Sequence, residues 1–191
     1  IMHLNMNCQT EPFKNPKARE AAMYAIDREA LVKTILGGAA EVISQPAPAG
    51  FLGYNADLKP YPYDPKKSLQ LLQEAGIKTP VKVELIQPNA WFPKVIEVPQ
   101  AIAAMMREAG FEVELKVMEG GAFTEARRGG KYNMAFMQAG YGSDPDTNVY
   151  TGRIINDYWG TGFDKLESSK PILDKIVEAR GELDAKKRDK L

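Results

Sequence analysis

Histidine and cysteine are almost missing from this chain. Of its 191 residues one is a histidine, His3, and one a cysteine, Cys8. A single cysteine excludes an internal disulfide framework. Cys8 is not preceded by the small-residue pattern of a lipoprotein anchor, and it reads as a small thiol beside a buried strand. With one histidine, any Ser/His/Asp or Cys/His centre would depend on His3 alone. His3 and Cys8 lack the second pair of ligands that a metal site needs. No G-x-G-x-x-G fingerprint or phosphate loop occurs; the pairs that begin at Gly37, Gly120 and Gly129 read as helix stops and turns. Charge of one sign is missing too. The 25 basic and 25 acidic residues cancel, so no basic field draws in nucleic acid or anionic lipid. No apolar run approaches the roughly 20 residues that span a bilayer. The expectation is a chain that is not an enzyme, with no cofactor, no metal and no nucleic-acid partner.

What the chain has instead is helix grammar. In the stretch Asn15 to Gly38, Asn15 can cap free amides and Pro16 takes the first helical position. Ala18, Ala21, Ala22 and Ala25 keep that helix thin. Asp27 can cap a second turn of chain carrying Leu31, Val32, Ile35 and Leu36, and Gly37-Gly38 permits a stop. Tyr63 to Gly76 repeats the pattern with Asp64, Pro65, Leu69, Leu72, Ala75 and Gly76. A strand opens the chain at Met2 to Met6. Val81, Val83 and Leu85 alternate with Lys82, Glu84 and Ile86, and Phe111, Val113, Leu115 and Val117 alternate with Glu112, Glu114 and Lys116. Met134 and Phe136 lie in a short run suited to burial on both faces. Helices fall between, near Pro93 to Ala109 and Ala122 to Arg128, and a last one begins near Pro171. That order predicts an α/β layer with largely parallel pairing. Residues 39–62 hold Pro46, Pro48, Pro60 and Pro62 without a sustained period, and predict a long irregular connection packed over one domain, 1–191. The methionines, Met105, Met106, Met134 and Met137 among them, read as core filler.

Several phrases carry a resemblance: Phe13-Lys14-Asn15 leading to Ala18-Arg19-Glu20-Ala21, then Tyr24-Ala25-Ile26-Asp27-Arg28-Glu29-Ala30-Leu31-Val32. Tyr63-Asp64-Pro65 follows with Leu71-Leu72-Gln73-Glu74-Ala75-Gly76, then Ala101-Ile102 through Ala109-Gly110-Phe111, and Asp144-Pro145-Asp146. In this order and spacing the chain resembles the peptide/nickel class of extracellular solute-binding proteins that serve ABC importers, family 5, similar to dipeptide- and oligopeptide-binding proteins. The resemblance implies one lobe of a type II periplasmic-binding-protein-like fold, with a mixed, mostly parallel sheet flanked by helices. It implies a periplasmic or extracellular receptor that closes two lobes over a peptide-like or other small solute and hands it to a permease. The first residues, Ile1-Met2-His3-Leu4, lack a leader's charged region and cleavage site, and the end falls inside a helical pattern. The expectation is therefore a second, C-terminal lobe cut from a longer protein, with its export signal and N-terminal lobe elsewhere.

Open α/β sheets bind ligands beyond the carboxyl ends of their strands. Two loops there are rich in recognition groups. Asn89, Trp91 and Phe92 follow one strand; Gln138, Tyr141, Ser143 and Asp144 follow another. Trp91 and Phe92 could equally cap the core. Asp144 and Asp146 could form an acid/base pair, but Asp144 before Pro145 reads more simply as a helix cap. In peptide-binding members the resemblance implies an acidic anchor a few residues before the Asp-Pro pair, and an arginine in the earlier loop. Here Tyr141 stands at the first place and no arginine lies within Asn89–Phe92. That shifts the expected solute from ordinary dipeptides toward a sugar, an opine-like or aromatic compound, or a metal chelate. Two readings compete with the receptor: a nucleotide-dependent α/β transferase domain, and a permease-independent sensor on the same scaffold.

Overall fold

Asn15, Asp27 and Asp64 each open a helix, as their spacing predicts. In the computed structural model, which describes residues 1–47, 49–51, 53–140 and 157–188, their carboxamide or carboxylate oxygens accept from the amides of Lys17, Ala30 and Lys67, each at 2.9 Å. The helices are α1 (Pro16–Tyr24), α2 (Arg28–Thr34) and α3 (Pro65–Glu74). Gly37, Gly38 and Gly76 follow with positive φ. The alanine face of α1 is fully used, with Ala18, Ala21 and Ala22 buried and α1 packed along α3.

Four strands, β1 (Met2–Met6), β2 (Val81–Pro88), β3 (Phe111–Met118) and β4 (Met134–Gln138), form one sheet in the order β1-β4-β2-β3. β2 runs parallel to β3 and to β4, while β1 closes the edge antiparallel to β4. The parallel pairs follow from their crossovers. Helix α4 (Glu97–Glu108) returns the chain from β2 to β3, and α5 (Gly120–Arg128) from β3 to β4. The sheet is thus mixed and mostly parallel, flanked by helices.

The pleat of β2 divides the core. Val83 and Leu85 join α1, α3, α4, Phe111 and Phe136 in the larger cluster. Ile86 points to the other face and packs with Phe123, Tyr132 and Ala135. So Ile86 is a buried member of the second face, not part of a polar one. β4 is buried on both faces from Met134 to Met137.

Two helix starts differ from expectation. α4 begins at Glu97, not Pro93, because Phe92 packs on Phe136 (ring centroids 5.6 Å apart) and Lys94 takes φ 64°, which breaks a helix there. α5 begins two residues before Ala122, so Gly120-Gly121 opens a helix and does not stop one. The irregular connection, where described, is tied at its ends. Gln45 and Asn55 exchange two hydrogen bonds, and Tyr61 meets Tyr24 edge-on. The last part of the chain docks beside β1. Trp159 stacks on His3 at 4.6 Å, the Cys8 amide donates to the Thr161 carbonyl at 2.7 Å, and Tyr132 donates to the Trp159 carbonyl. Cys8 is buried there, and burial pushes its thiol pKa up. Helices α6 (Lys170–Gly181) and α7 (Ala185–Arg188) complete the described chain.

Candidate functional site

The three parallel strands end side by side, and the loops leaving them define the candidate site. β2 and β3 finish in register, Pro88 opposite Met118. The next residues on each strand, Asn89 and Glu119, are therefore neighbours. The Asn89 amide nitrogen of the backbone donates to the Met118 carbonyl at 2.8 Å, and its side chain donates to Glu119 Oε1 at 2.8 Å. This pairing fastens the first loop to the start of α5.

Trp91 and Phe92 divide the two roles that their sequence position left open. Phe92 is half-buried against Phe136 and belongs to the larger core. Trp91 is 56% exposed. Its indole stands edge-on to Phe123, at 5.3 Å between centroids, and lies across the first residue of α5. A Cβ on Gly120 would come within 2.7 Å of the Trp91 Nε1. The absence of a side chain at Gly120 thus leaves room for the indole. Lys94 turns the loop toward α4 and pairs with Glu97 at 2.9 Å.

Gln138 ends β4 and is exposed, paired across the sheet with Met2. Asn89 and Gln138 each lie three residues beyond the paired couple Ile86 and Ala135. The structure therefore brings Asn89, Trp91, Phe92 and Gln138 to one end of the sheet. Tyr141, Ser143 and Asp144, with the acid/base and cap readings of Asp144 and Asp146, lie outside the described residues. Surface depressions of about 600 Å³ beside Leu69, Gln70 and Ile77, and of about 500 Å³ beside Asp27, Val32 and Gly37, lie away from these loops.

Three features escaped the sequence reading. The Asn89–Glu119 bond could have been found, since each residue directly follows a strand of the same parallel pair. Gln87 sits 1% exposed on the core face of β2, and its place in an alternating strand was the only signal. Arg127, buried at the end of α5, donates to the Tyr158 carbonyl and lies 4.9 Å from that ring, with Arg128 at 4.7 Å. Burial lowers the Arg127 pKa, and the hydrogen bond from Arg128 lowers that of the Tyr158 hydroxyl. That cluster supports the docked end of the chain, away from the strand ends. Among the described residues, no three His, Cys, Asp or Glu side chains are grouped to hold a metal ion. No described helix is long and apolar enough to cross a membrane.

The family described as bacterial extracellular solute-binding proteins, family 5 Middle, matches residues 1–161. The chain belongs to that family. Its relatives are solute-binding proteins. The dipeptide-binding protein of Escherichia coli K12 is 28% identical over 197 residues, covering 100% of this chain and 36% of the relative. The glutathione-binding protein of the same strain is 34% identical over 121 residues, 62% of this chain and 23% of its own length. A solved periplasmic binding protein, DppA of Helicobacter pylori in complex with the peptide STSA, superposes with a TM-score of 0.86 at 29% identity, covering 98% of this chain and 37% of that one. HbpA2 of Haemophilus parasuis shares the fold at a TM-score of 0.88 and 23% identity. The chain spans a little over a third of the length of the E. coli dipeptide-binding protein. The fold is that of one part of a family 5 binding protein, an α/β layer with its parallel strands ending side by side.

Proposed function

We propose that this chain is the second, C-terminal lobe of a periplasmic or extracellular receptor that captures a peptide-like or other small solute and delivers it to an ABC permease. On this reading residues 1–191 act as one α/β domain, and an N-terminal lobe of the same protein supplies the opposite wall. The observation that carries the reading is Trp91, more than half exposed yet held in place by Gly120 and Phe123 at the ends of three parallel strands. An aromatic face fixed by packing and left uncovered is suited to ligand contact. Asn89, Gln138 and, from the sequence, Tyr141, Ser143 and Asp144 supply polar partners around it, with Phe92 supporting from below.

The physical logic is burial from two sides. A small-molecule site covers about 70–90% of its ligand, and one open face covers about half. Affinity then arises when a second lobe closes, and the solute stabilises the closed state by as much as it prefers that state. The absence of a histidine pair or phosphate cradle in the sequence weighs against the transferase reading.

Calorimetry on the full-length receptor with di- to tetrapeptides, sugars and opine-like acids tests the proposal. Stoichiometric binding of one class is the expected result; binding of nucleotides alone would favour the transferase domain. In the same protein Tyr141→Ala should weaken solute affinity by about 1–3 kcal/mol through lost aromatic contact area. An unchanged Kd removes Tyr141 from the site.

A further inference from the structure

Gln87 is a buried acceptor that no described residue answers. It sits one residue from the end of β2, on the face shared by Val83 and Leu85, and is 1% exposed. Its backbone is committed to the parallel ladder opposite Val117. Its side-chain Oε1 is fully buried, and no group among the described residues donates to it. The core cluster on this face is apolar, with Phe136, Leu85 and Val98 among its members. A methionine or leucine would fill such a place without leaving a lone carbonyl in an apolar setting, where an unsatisfied polar group is destabilising.

Its position gives that acceptor a use. Phe136, one step beyond the pair Ile86 and Ala135, is the lateral neighbour of Gln87 on β4, and Phe92 rests on Phe136. Asn89 and exposed Trp91 begin the loop directly after it. On the other side, Val117 of β3 is 53% exposed, so cover over this row of the sheet ends within one strand of Gln87. Moving the Phe92 ring off Phe136 is a side-chain change that leaves the ladder intact.

We propose that Gln87 is a specificity-determining residue of the solute site: its Oε1 accepts a hydrogen bond from an N–H or O–H of the bound solute, and so selects solutes that bring a donor to the end of β2. The assignment rests on the receptor reading given above. It predicts that the same carboxamide weakens the free protein and strengthens the complex, because a site built to pair a polar group rejects partners that leave it unpaired.

The test uses the full-length protein, wild type and Gln87→Met, with peptides of two to four residues including Ser-Thr-Ser-Ala as probes. The expected result has two parts. Gln87→Met raises the Tm of the solute-free protein by about 2 °C, and it weakens peptide binding ten-fold or more in calorimetry. Unchanged affinity in the variant, with wild-type binding intact, overturns the assignment and leaves the receptor reading standing. Wild-type protein that binds none of these peptides overturns this assignment for peptide solutes, and the receptor reading falls with it only when sugars and opine-like acids also fail to bind. A crystal structure of the wild-type complex is independent of how the variant folds. A solute donor within about 3.2 Å of Oε1 is expected; a protein donor or a sealed water in its place overturns the assignment.

Discussion

The two ends of the sheet are built to opposite rules. Where β2 and β3 begin, the core beneath the strands is sealed and its polar groups are paired. Ser68 is buried and donates to the Ala109 carbonyl at 2.9 Å, Val81 donates to the Gly110 carbonyl, and Phe111 and Leu72 are fully buried. Gly110 lies at φ 94°, and a Cβ there would sit 2.7 Å from Leu69 Cδ2 and 3.0 Å from Leu72 Cδ1. Where the same strands finish, packing and hydrogen bonding among the described residues are incomplete. Trp91 and Val117 are more than half exposed, Gln87 Oε1 has no donor among the described residues, and α4 starts without a side-chain cap. The difference separates residues that hold the lobe together from residues kept available for contact.

Substitutions at the two ends should therefore fail in different assays. The largest effect is expected from Gly110→Ala. Strain at a left-handed position, plus the clash with Leu69 and Leu72, should cost about 2–3 kcal/mol of unfolding free energy in urea titrations. Solute affinity of the molecules that remain folded should not change. Asp64→Ala belongs to the same class with a smaller effect, about 1 kcal/mol for the lost α3 cap, again with binding intact. Gly120→Ala inverts the pattern. The new methyl displaces the Trp91 indole, so calorimetry should show affinity lowered by about 1 kcal/mol with little change in stability. An equal stability loss at Gly110 and Gly120 would erase the contrast. The smallest effect is expected from Lys94→Gly. Relief of the positive φ should raise stability by about 0.5–1 kcal/mol, offset in part by loss of the exposed pair with Glu97.

Much of this lobe could be read from residue order because its signals are local. Asn15, Asp27 and Asp64 act on amides two or three residues away, so each cap could be named without knowledge of the fold. The alternation in β2 and β3 reports a buried face whatever lies on it. The start of α4 was misplaced for the opposite reason. Pro93 suits a first helical position, but the contact between Phe92 and Phe136 joins residues 44 positions apart and overrides it. The same holds for Ile86, whose burial depends on α5 covering the second face. At the candidate site, composition showed which loops were rich in aromatics and amides. It could not show that Phe92 turns inward while Trp91 is held outward, since that depends on Gly120 in another element.

Asn5 of β1 donates to the Met137 sulfur of β4 across 132 positions of chain, and among the described residues β4 is the one strand beside β1. In N-to-C synthesis β1 is therefore made long before β4, the strand it pairs with here. Loop closure over that span is slow, so folding of the lobe should be limited by the arrival of β4. Until then Met2–Met6 lacks the strand that pairs with it here, which leaves that edge open to strand exchange with a neighbour.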